Sequence, residues 1–306
     1  MTFNIKTILA IATLSVASLS HASETISIAW GFSIGSNQAS TIRHIAEDAN
    51  KSQSKYNFIV ESKAGAGGSI AANHVLQNPS NTLVGMSSSF FIRPAVETVG
   101  VHDLDKFKPV LVQSIGAPLV IVSKKYKNIN ELLKEEKPSI GISGIGSISD
   151  MLANILKEKN PNLNLINYKG MVDATVAAAG GHVDAAVTFF IDAKPMIDAK
   201  EVTVIGYTGT KDLDDFKGLS LTKQGIAGVD KLVANYAIFS SREMPNAKAK
   251  EIHDILSRAS INEKVRESYI KDNLTVVNIP LNNSQEWYDT ERSYWKSLAS
   301  KLPKSK

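Results

Sequence analysis

Short apolar runs and longer amphipathic segments alternate along this chain. The short runs are rich in Ile, Val and Leu, which favours strands because branched side chains pack well on a pleated surface. Most of them precede a segment with apolar residues three and four positions apart, which is typical of a helix. This order predicts an α/β fold with mostly parallel strands. The predicted strands are Thr25–Ala29, Phe58–Glu61, Leu83–Met86, Val110–Gln113, Leu119–Val122, Ser139–Ser143, Leu163–Tyr168, Val183–Val187 and Val202–Tyr207.

Predicted helices stand between the strands and make up the end of the chain. Earlier in the chain they are Ser40–Asn50, Ser69–Gln77, Asn130–Glu136, Asp150–Lys159 and Asp173–Ala179. One of the two terminal helices begins near Pro245, and the other begins at Asn283. One side of the last helix carries aromatic and aliphatic residues, which we interpret as core packing: Trp287, Tyr294, Trp295 and Leu298.

The first 22 residues have the pattern of an export signal. One basic residue, Lys6, precedes an apolar run from Ile8 to Leu19, and small residues lead up to Ala22. The run is too short to span a membrane, so we expect a signal peptide cleaved near Ala22 rather than a retained anchor. The mature chain is therefore predicted to be periplasmic, without direct membrane insertion.

Composition narrows the possible chemistry. The chain has 306 residues and no cysteine, which excludes disulfides, thiolate metal sites and cysteine nucleophiles. Its formal net charge of +4 is small and spread along the sequence. This weak charge gives no reason to expect a nucleic-acid partner.

A glycine-rich turn at Ala64–Gly68 joins a predicted strand to a predicted helix. Glycines let backbone N–H groups approach a ligand, and the helix start adds unpaired amides and a positive dipole end. The turn therefore suits an anion. It is neither a phosphate loop nor a dinucleotide fingerprint, because Ser69-Ile70 follows Gly68 where Lys or a third Gly is needed. A tight turn without a ligand explains this segment alone equally well.

The residues do not indicate an enzyme. The histidines of the mature chain lack metal-ligand spacing, and no Gly-x-Ser-x-Gly elbow is present. The second glycine loop, Gly144–Ser147, ends in serine and lacks the acidic residue that a dinucleotide site needs. We therefore expect no catalytic residue, no metal and no cofactor. A secreted hydrolase that uses Ser147 or Ser88 is the enzyme alternative.

Four polar loops follow predicted strands and precede predicted helices. They are Phe32–Asn37, Ala64–Ser69, Ser87–Ser89 and Ser143–Ser147. Open parallel sheets bind ligands at the carboxyl ends of their strands, so these loops are expected to share a site. They offer many amides and hydroxyls but few charges, which suits a small carboxylate. Four or five charge-assisted hydrogen bonds of about 1.5–3 kcal/mol each would suffice for micromolar binding.

The order of these segments resembles the periplasmic substrate-binding receptors of tripartite tricarboxylate transporters, the Bug receptors, from about Ile26 to Leu302. Ala64–Gly68 is similar to the family's Pro-Gly-Ala-Gly-Gly segment. Gly141–Ser147 is similar to its second glycine loop, and Tyr168-Lys169-Gly170 to its Tyr-Lys-Gly signature. The resemblance implies a periplasmic-binding-protein-like fold of type II, with a ligand cleft between two lobes.

The resemblance also implies a domain division and a set of partners. Residues 23–118 plus 236–306 would form lobe I, and residues 119–235 would form lobe II. The protein would be a monomer that captures a di- or tricarboxylate, or a related acid, and delivers it to membrane transporter subunits. A sensor of the same fold that feeds a signalling partner is the alternative.

The loops and the resemblance together give the candidate ligand-binding residues. In the first lobe they are Phe32, Ser33, Gly35, Ser36, Asn37, Gly65, Gly67, Gly68, Ser87, Ser88 and Ser89. In the second lobe they are Ser143, Gly144, Ser147, Tyr168, Lys169 and Thr188.

The first loop departs from the family pattern. It lacks the usual proline, one glycine and the acidic residue, so the resemblance does not establish that this loop contacts the ligand. Arg93 stands where the family often has asparagine. It would pair with a second ligand carboxylate if it pointed inward, and a surface position is the alternative. Five aromatic residues lie near loop ends, where we interpret most as core packing and one or two as contacts of an aromatic or otherwise apolar acid: Trp30, Phe90, Phe91, Phe189 and Phe190.

Overall fold

The computed structural model describes residues 23–210, 213–271 and 275–300. The predicted signal peptide lies outside these residues. The first half of the chain contains β1 (Glu24–Trp30), α1 (Asn37–Ser52), β2 (Tyr56–Ser62), α2 (Ser69–Gln77), β3 (Thr82–Ser87), α3 (Ser89–Val96), β4 (Phe107–Ser123), α4 (Ile129–Leu133), β5 (Ser139–Ile142) and α5 (Ile148–Lys157). The second half contains β6 (Asn164–Asn167), α6 (Met171–Ala179), β7 (Ala185–Phe189), α7 (Phe190–Asp198), β8 (Thr203–Tyr207), β9 (Val233–Ser241), α8 (Asn246–Ser260), α9 (Glu263–Lys271), β10 (Thr275–Val276) and α10 (Leu281–Ala299).

The strands follow the order β2-β1-β3-β9-β4-β7-β5-β6, and β8 and β10 also pair with β4. Strands β1, β2, β3, β9 and β10 form a first sheet with the beginning of β4. Strands β5, β6, β7 and β8 form a second sheet with the end of β4. Each sheet and the helices packed on it form one lobe, and β4 belongs to both.

Strand β4 is one continuous strand of 17 residues, although the sequence predicted two separate runs. It pairs with β9 up to Pro118 and with β7 from Leu119 onward. Its pairing register with β9 shifts near Pro109 and again before Ala117. Proline removes a ladder hydrogen bond, so these irregularities let the strand continue past its prolines.

The expectation of mostly parallel strands is wrong. Pairs β1–β2, β1–β3, β5–β6 and β5–β7 are parallel. All pairs that involve β4 or β9 are antiparallel. The two crossing strands run in opposite directions between the lobes, which the local pattern of each strand does not reveal.

Helix α1 begins earlier than the sequence predicted. Its cap is Ser36, whose hydroxyl accepts a hydrogen bond from Ala39 N at 3.2 Å. Serine at this position satisfies one of the unpaired amides at a helix start. The start of α1 therefore lies within the first polar loop.

The aromatic residues of α10 pack in the core, as predicted. Trp295 and Tyr288 are almost completely buried, and Trp287 and Tyr294 pack against the same cluster. In the same cluster, the rings of Phe90 and Phe239 are stacked with their centroids 4.0 Å apart. This cluster joins α3, α10 and β9 behind the loops that end β3. Within the described residues, no helix is long and apolar enough to cross a membrane.

Replacing Gly68 with alanine should destabilise the protein by about 1–3 kcal/mol. Gly68 has a φ of +96°, and a methyl group there would overlap the end of the Met86 side chain. Gly35→Ala is the matched control, because a methyl group at Gly35 meets nothing within 4 Å. Urea denaturation of both variants checks this expectation. Equal stability of the two variants would contradict it.

Candidate functional site

The two glycine loops meet between the lobes. A methyl group on Gly67 would lie 2.7 Å from the carbonyl oxygen of Ile145, and one on Gly144 would lie 3.7 Å from Gly67 N. Gly67 also has a left-handed backbone, with φ +59°. Only glycine permits this close approach without displacing the opposite loop. The predicted anion-binding turn and the second glycine loop are therefore neighbours in space.

The first polar loop is hydrogen bonded to the second lobe at two points. The Ser33 hydroxyl donates to Asp173 Oδ2 at 2.6 Å. The backbone N–H of Asn37, the first residue of α1, donates to Asp192 Oδ1 at 2.8 Å. A carboxylate at this position interacts favourably with the positive end of the helix dipole. Asp192 thus holds the start of α1 against the second lobe.

Arg93 is buried rather than on the surface and also bridges the lobes. Its Nη1 donates to the carbonyl oxygen of Ile145 at 2.6 Å, and its Nη2 forms an ion pair with Glu97 one helical turn later. A further bridge runs from Ile148 N to Ser89 Oγ at 3.1 Å. The structure is therefore a closed arrangement of the two lobes.

Each lobe has a cluster of serine hydroxyls beside this interface. Ser87 Oγ donates to Ser89 Oγ at 3.2 Å in the first lobe. In the second lobe, Ser149 Oγ lies 2.9 Å from Ser143 Oγ and 2.8 Å from Ser147 Oγ. Hydroxyls can rotate to donate or accept, so this cluster can adapt to a ligand that enters between the lobes.

Part of the second glycine loop is already occupied by groups of the same loop. Gly146 N donates to Asp150 Oδ2 at 2.8 Å, and Ser147 N donates to the carbonyl oxygen of Gly144 at 3.2 Å. Ser147 Oγ accepts from Asp150 N as the cap of α5. Ser143 N also donates, to Ser149 Oγ at 2.9 Å, so a ligand would use the amides of Gly144 and Ile145.

Two neighbouring spaces lie between the lobes. We call the first the inner cavity; it has a volume of about 30 Å³. We call the second the outer cleft; it has a volume of about 380 Å³. Phe32 and Ser143 line both spaces. The inner cavity holds a group of only one or two water-sized units, whereas the outer cleft has room for a small metabolite.

Eleven of the candidate residues line one space or the other. The inner cavity contains Phe32, Ser33, Ser36, Ser87, Ser89 and Ser143. The outer cleft contains Phe32, Gly65, Gly67, Ser143, Gly144, Tyr168 and Lys169. The structure thus brings together candidates from all the predicted loops.

The remaining candidates lie around these spaces. Asn37 contributes its amide to Asp192, and Ser88 Oγ accepts from Asn235 N at 2.9 Å. Thr188 is fully buried in β7. Gly35, Gly68 and Ser147 are not among the lining residues of either space. Whether each candidate touches a ligand stays a prediction.

Sequence reasoning missed several residues of the inner cavity. They are Gln38, Gly170, Met171, Val172, Asp192 and Tyr236; Trp30 and Phe189, named from the sequence as possible contacts of an apolar acid, also line this cavity. Phe189 is the last residue of β7 and Asp192 lies in the first turn of α7, at the same kind of strand-to-helix junction as the predicted loops. The rule that selected those loops would have found this junction. Tyr236 belongs to β9, which no local motif marks as part of the site.

Among the described residues that line the inner cavity, Asp192 is the one with an acidic side chain. Burial raises the pKa of its carboxyl to about 6, and the hydrogen bond from Asn37 opposes this shift. The group is therefore mostly ionised at neutral pH, yet it titrates much closer to neutrality than an ordinary aspartate.

Ser69 and His102 form a buried pair beneath the first glycine loop. Ser69 Oγ lies 3.1 Å from His102 Nδ1, and His102 Nε2 lies 2.8 Å from the carbonyl oxygen of Phe90. A neutral imidazole satisfies both contacts, accepting from Ser69 and donating to Phe90. Ser69 and His102 are almost completely buried, so this pair holds the start of α2 and is closed to a substrate.

This fold and its interlobe cleft define a two-lobed ligand-binding receptor. The family model for the tripartite tricarboxylate transporter family receptor, TctC, matches residues 41–302. The chain therefore belongs to the tripartite tricarboxylate transporter receptor family, a family of solute-binding receptors, which confirms the predicted resemblance. No protein with a curated functional description matches the sequence significantly.

Solved structures agree with this fold. A protein described as periplasmic binding protein BugD is 21% identical with a TM-score of 0.81, and the match covers 91% of this chain and 97% of BugD. MatC from Rhodopseudomonas palustris, with bound malate, is 20% identical with a TM-score of 0.80, and the match covers 90% of this chain and 99% of MatC. A second Rhodopseudomonas palustris protein, with adipate, is 17% identical with a TM-score of 0.79, and the match covers 90% of this chain and 96% of that protein. The predicted two-lobed fold class is confirmed.

His102 should make stability fall as pH falls from about 6.5 to about 4. Burial lowers the pKa of His102 to about 4, whereas the unfolded chain takes up this proton near 6.5. The unfolded state therefore binds more protons within this window, and about 3 kcal/mol of stability is lost across it.

Urea denaturation of wild type and His102→Gln between pH 4 and 7 checks this contribution. The raised pKa of Asp192 acts in the opposite direction over part of this window, so the difference between the two proteins is the relevant quantity. Removing the imidazole should make the loss of stability toward low pH smaller. Parallel pH profiles would show that His102 is not the cause.

Proposed function

We propose that this protein is an extracytoplasmic receptor that captures a small organic carboxylate and passes it to a membrane transporter. The observation that carries this proposal is the meeting of amide- and hydroxyl-rich loops from two lobes around one cleft. Such groups replace the water around an anion and lose little energy in reorganising.

The charges of the outer cleft favour a carboxylate. Among its described lining residues, the ionisable ones besides Tyr168 are Lys169 and Arg93, and none is acidic. Arg93 is already paired with Glu97, whereas Lys169 is exposed and forms no ion pair with a described residue. Lys169 is thus the cation available to a ligand, and Tyr168 beside it adds a hydroxyl.

Related structures support the same ligand class. The two Rhodopseudomonas palustris proteins are described with malate and with adipate, and both compounds are small dicarboxylates. Family membership supports delivery to a tripartite membrane transporter, and the export signal predicted from the first 22 residues supports a periplasmic location. Closure of the lobes around the ligand would present a different surface to the transporter than the open form does.

Calorimetric titration of refolded, ligand-free protein tests the capture of a carboxylate. The panel contains succinate, malate, adipate, L-aspartate and L-glutamate at neutral pH. We expect at least one compound to bind with a Kd in the micromolar range, which corresponds to a binding free energy of about 8 kcal/mol. Silence across the panel and across a wider set of tricarboxylates and monocarboxylates would contradict the proposal.

Lys169→Ala should raise the Kd of the best-binding carboxylate about three- to tenfold, as expected for the loss of a partly solvated ion pair. Lys157→Ala is the matched control, because Lys157 is also exposed but lies on the last turn of α5 away from the cleft lining. The control should leave Kd unchanged. An equal Kd in both variants would place the carboxylate outside the outer cleft.

A further inference from the structure

The inner cavity has an unusual composition for the binding site of an anion. Four aromatic rings line it: Trp30, Phe32, Phe189 and Tyr236. The rings form a continuous wall, with Trp30 stacked on Tyr236 at 6.4 Å and Phe189 5.9 Å from Tyr236. The faces of aromatic rings carry negative charge density and attract cations.

Asp192 reinforces this preference. It lines the same cavity, and no lysine, arginine or histidine is among the described residues that line it. From the described residues Asp192 accepts one hydrogen bond, from Asn37 N to Oδ1, so Oδ2 retains its capacity to accept. An ionised carboxylate surrounded by aromatic rings is the chemistry that proteins use to recognise ammonium groups.

The two ends of the site therefore carry opposite charges. The outer cleft contains Lys169 and Arg93 without an acidic residue, and the inner cavity contains Asp192 without a basic one, as far as the described lining shows. Phe32 and Ser143 line both spaces, which places the inner cavity directly beside the outer cleft, within the length of one small ligand. The volume of the inner cavity, about 30 Å³, suits a small group such as an ammonium.

We propose that the ligand is an amino carboxylate, whose ammonium group binds Asp192 and the aromatic wall of the inner cavity while its carboxylate lies in the outer cleft. This inference rests on the proposed function and specifies its ligand class. Asp192 is then a specificity-determining residue. A dicarboxylate without an amino group would have to place uncharged carbon, or a second negative charge, beside Asp192.

Matched ligand pairs test this inference. L-Aspartate is compared with succinate, and L-glutamate with glutarate, because each pair differs only in the amino group. Calorimetry is performed on wild type, Asp192→Asn and Asp173→Asn. Asp173 is a matched control, since it also accepts a hydrogen bond from the first loop across the lobes but does not line the inner cavity.

In wild type the preferred amino acid should bind at least about tenfold more tightly than its partner without the amino group, which is about 1.4 kcal/mol. Asp192→Asn should reduce this preference at least about tenfold, chiefly by weakening the binding of the amino acid. Asp173→Asn should leave the preference unchanged. Circular dichroism and the urea midpoint confirm that each variant is folded.

Equal or tighter binding of succinate or glutarate, with a preference that Asp192→Asn does not change, would overturn the inference and leave the proposed function standing. Loss of the preference in both variants would also overturn it, because the effect would then come from lobe closure. Failure of every carboxylate to bind would instead contradict the proposed function itself, and the inference with it.

Discussion

The crossing of β4 and β9 between the lobes is the constraint on which the site depends. Strand β4 pairs with β9 in the first sheet and with β7 in the second, so one shared strand connects the two lobes. The loops that end β1, β2 and β3 are thereby held opposite those that end β5, β6 and β7. Tyr236, on β9, lines the floor of the inner cavity where the strands cross. The hinge and the binding site are therefore built partly from the same residues.

Local patterns predicted most elements because each strand and helix carries its own periodicity and turn chemistry. Gly65, Gly67 and Gly144, which line the outer cleft, could be selected as candidates from the sequence, since glycines after strands mark the edge where open sheets bind ligands. The continuity of β4 was not predictable, because Gly116 and Pro118 interrupt its apolar pattern and only pairing with β9 carries the strand through. Asp192 escaped notice for a related reason. Its hydrogen-bond partner Asn37 lies 155 residues earlier in the sequence, so only the folded arrangement of the two lobes brings the two residues together.

The two ends of the site differ in charge. Lys169 lies at its outer end, and Asp192 lies at its inner end among aromatic rings. Between them, serine hydroxyls and glycine amides supply polar groups without a fixed charge. The Asp192 carboxylate also accepts a hydrogen bond from Asn37 N at the start of α1, so an acidic residue of the second lobe satisfies one of the unpaired amides of this helix.

Amide-resolved NMR during titration with L-aspartate or succinate tests the central claim that both lobes grip one ligand. The account predicts that the backbone signals of Gly65 and Gly67 in the first lobe shift together with those of Gly144 and Lys169 in the second, with a single binding constant. Shifts confined to one lobe, or centred on the separate crevice beside Asn235, Glu291 and Trp295, would contradict it.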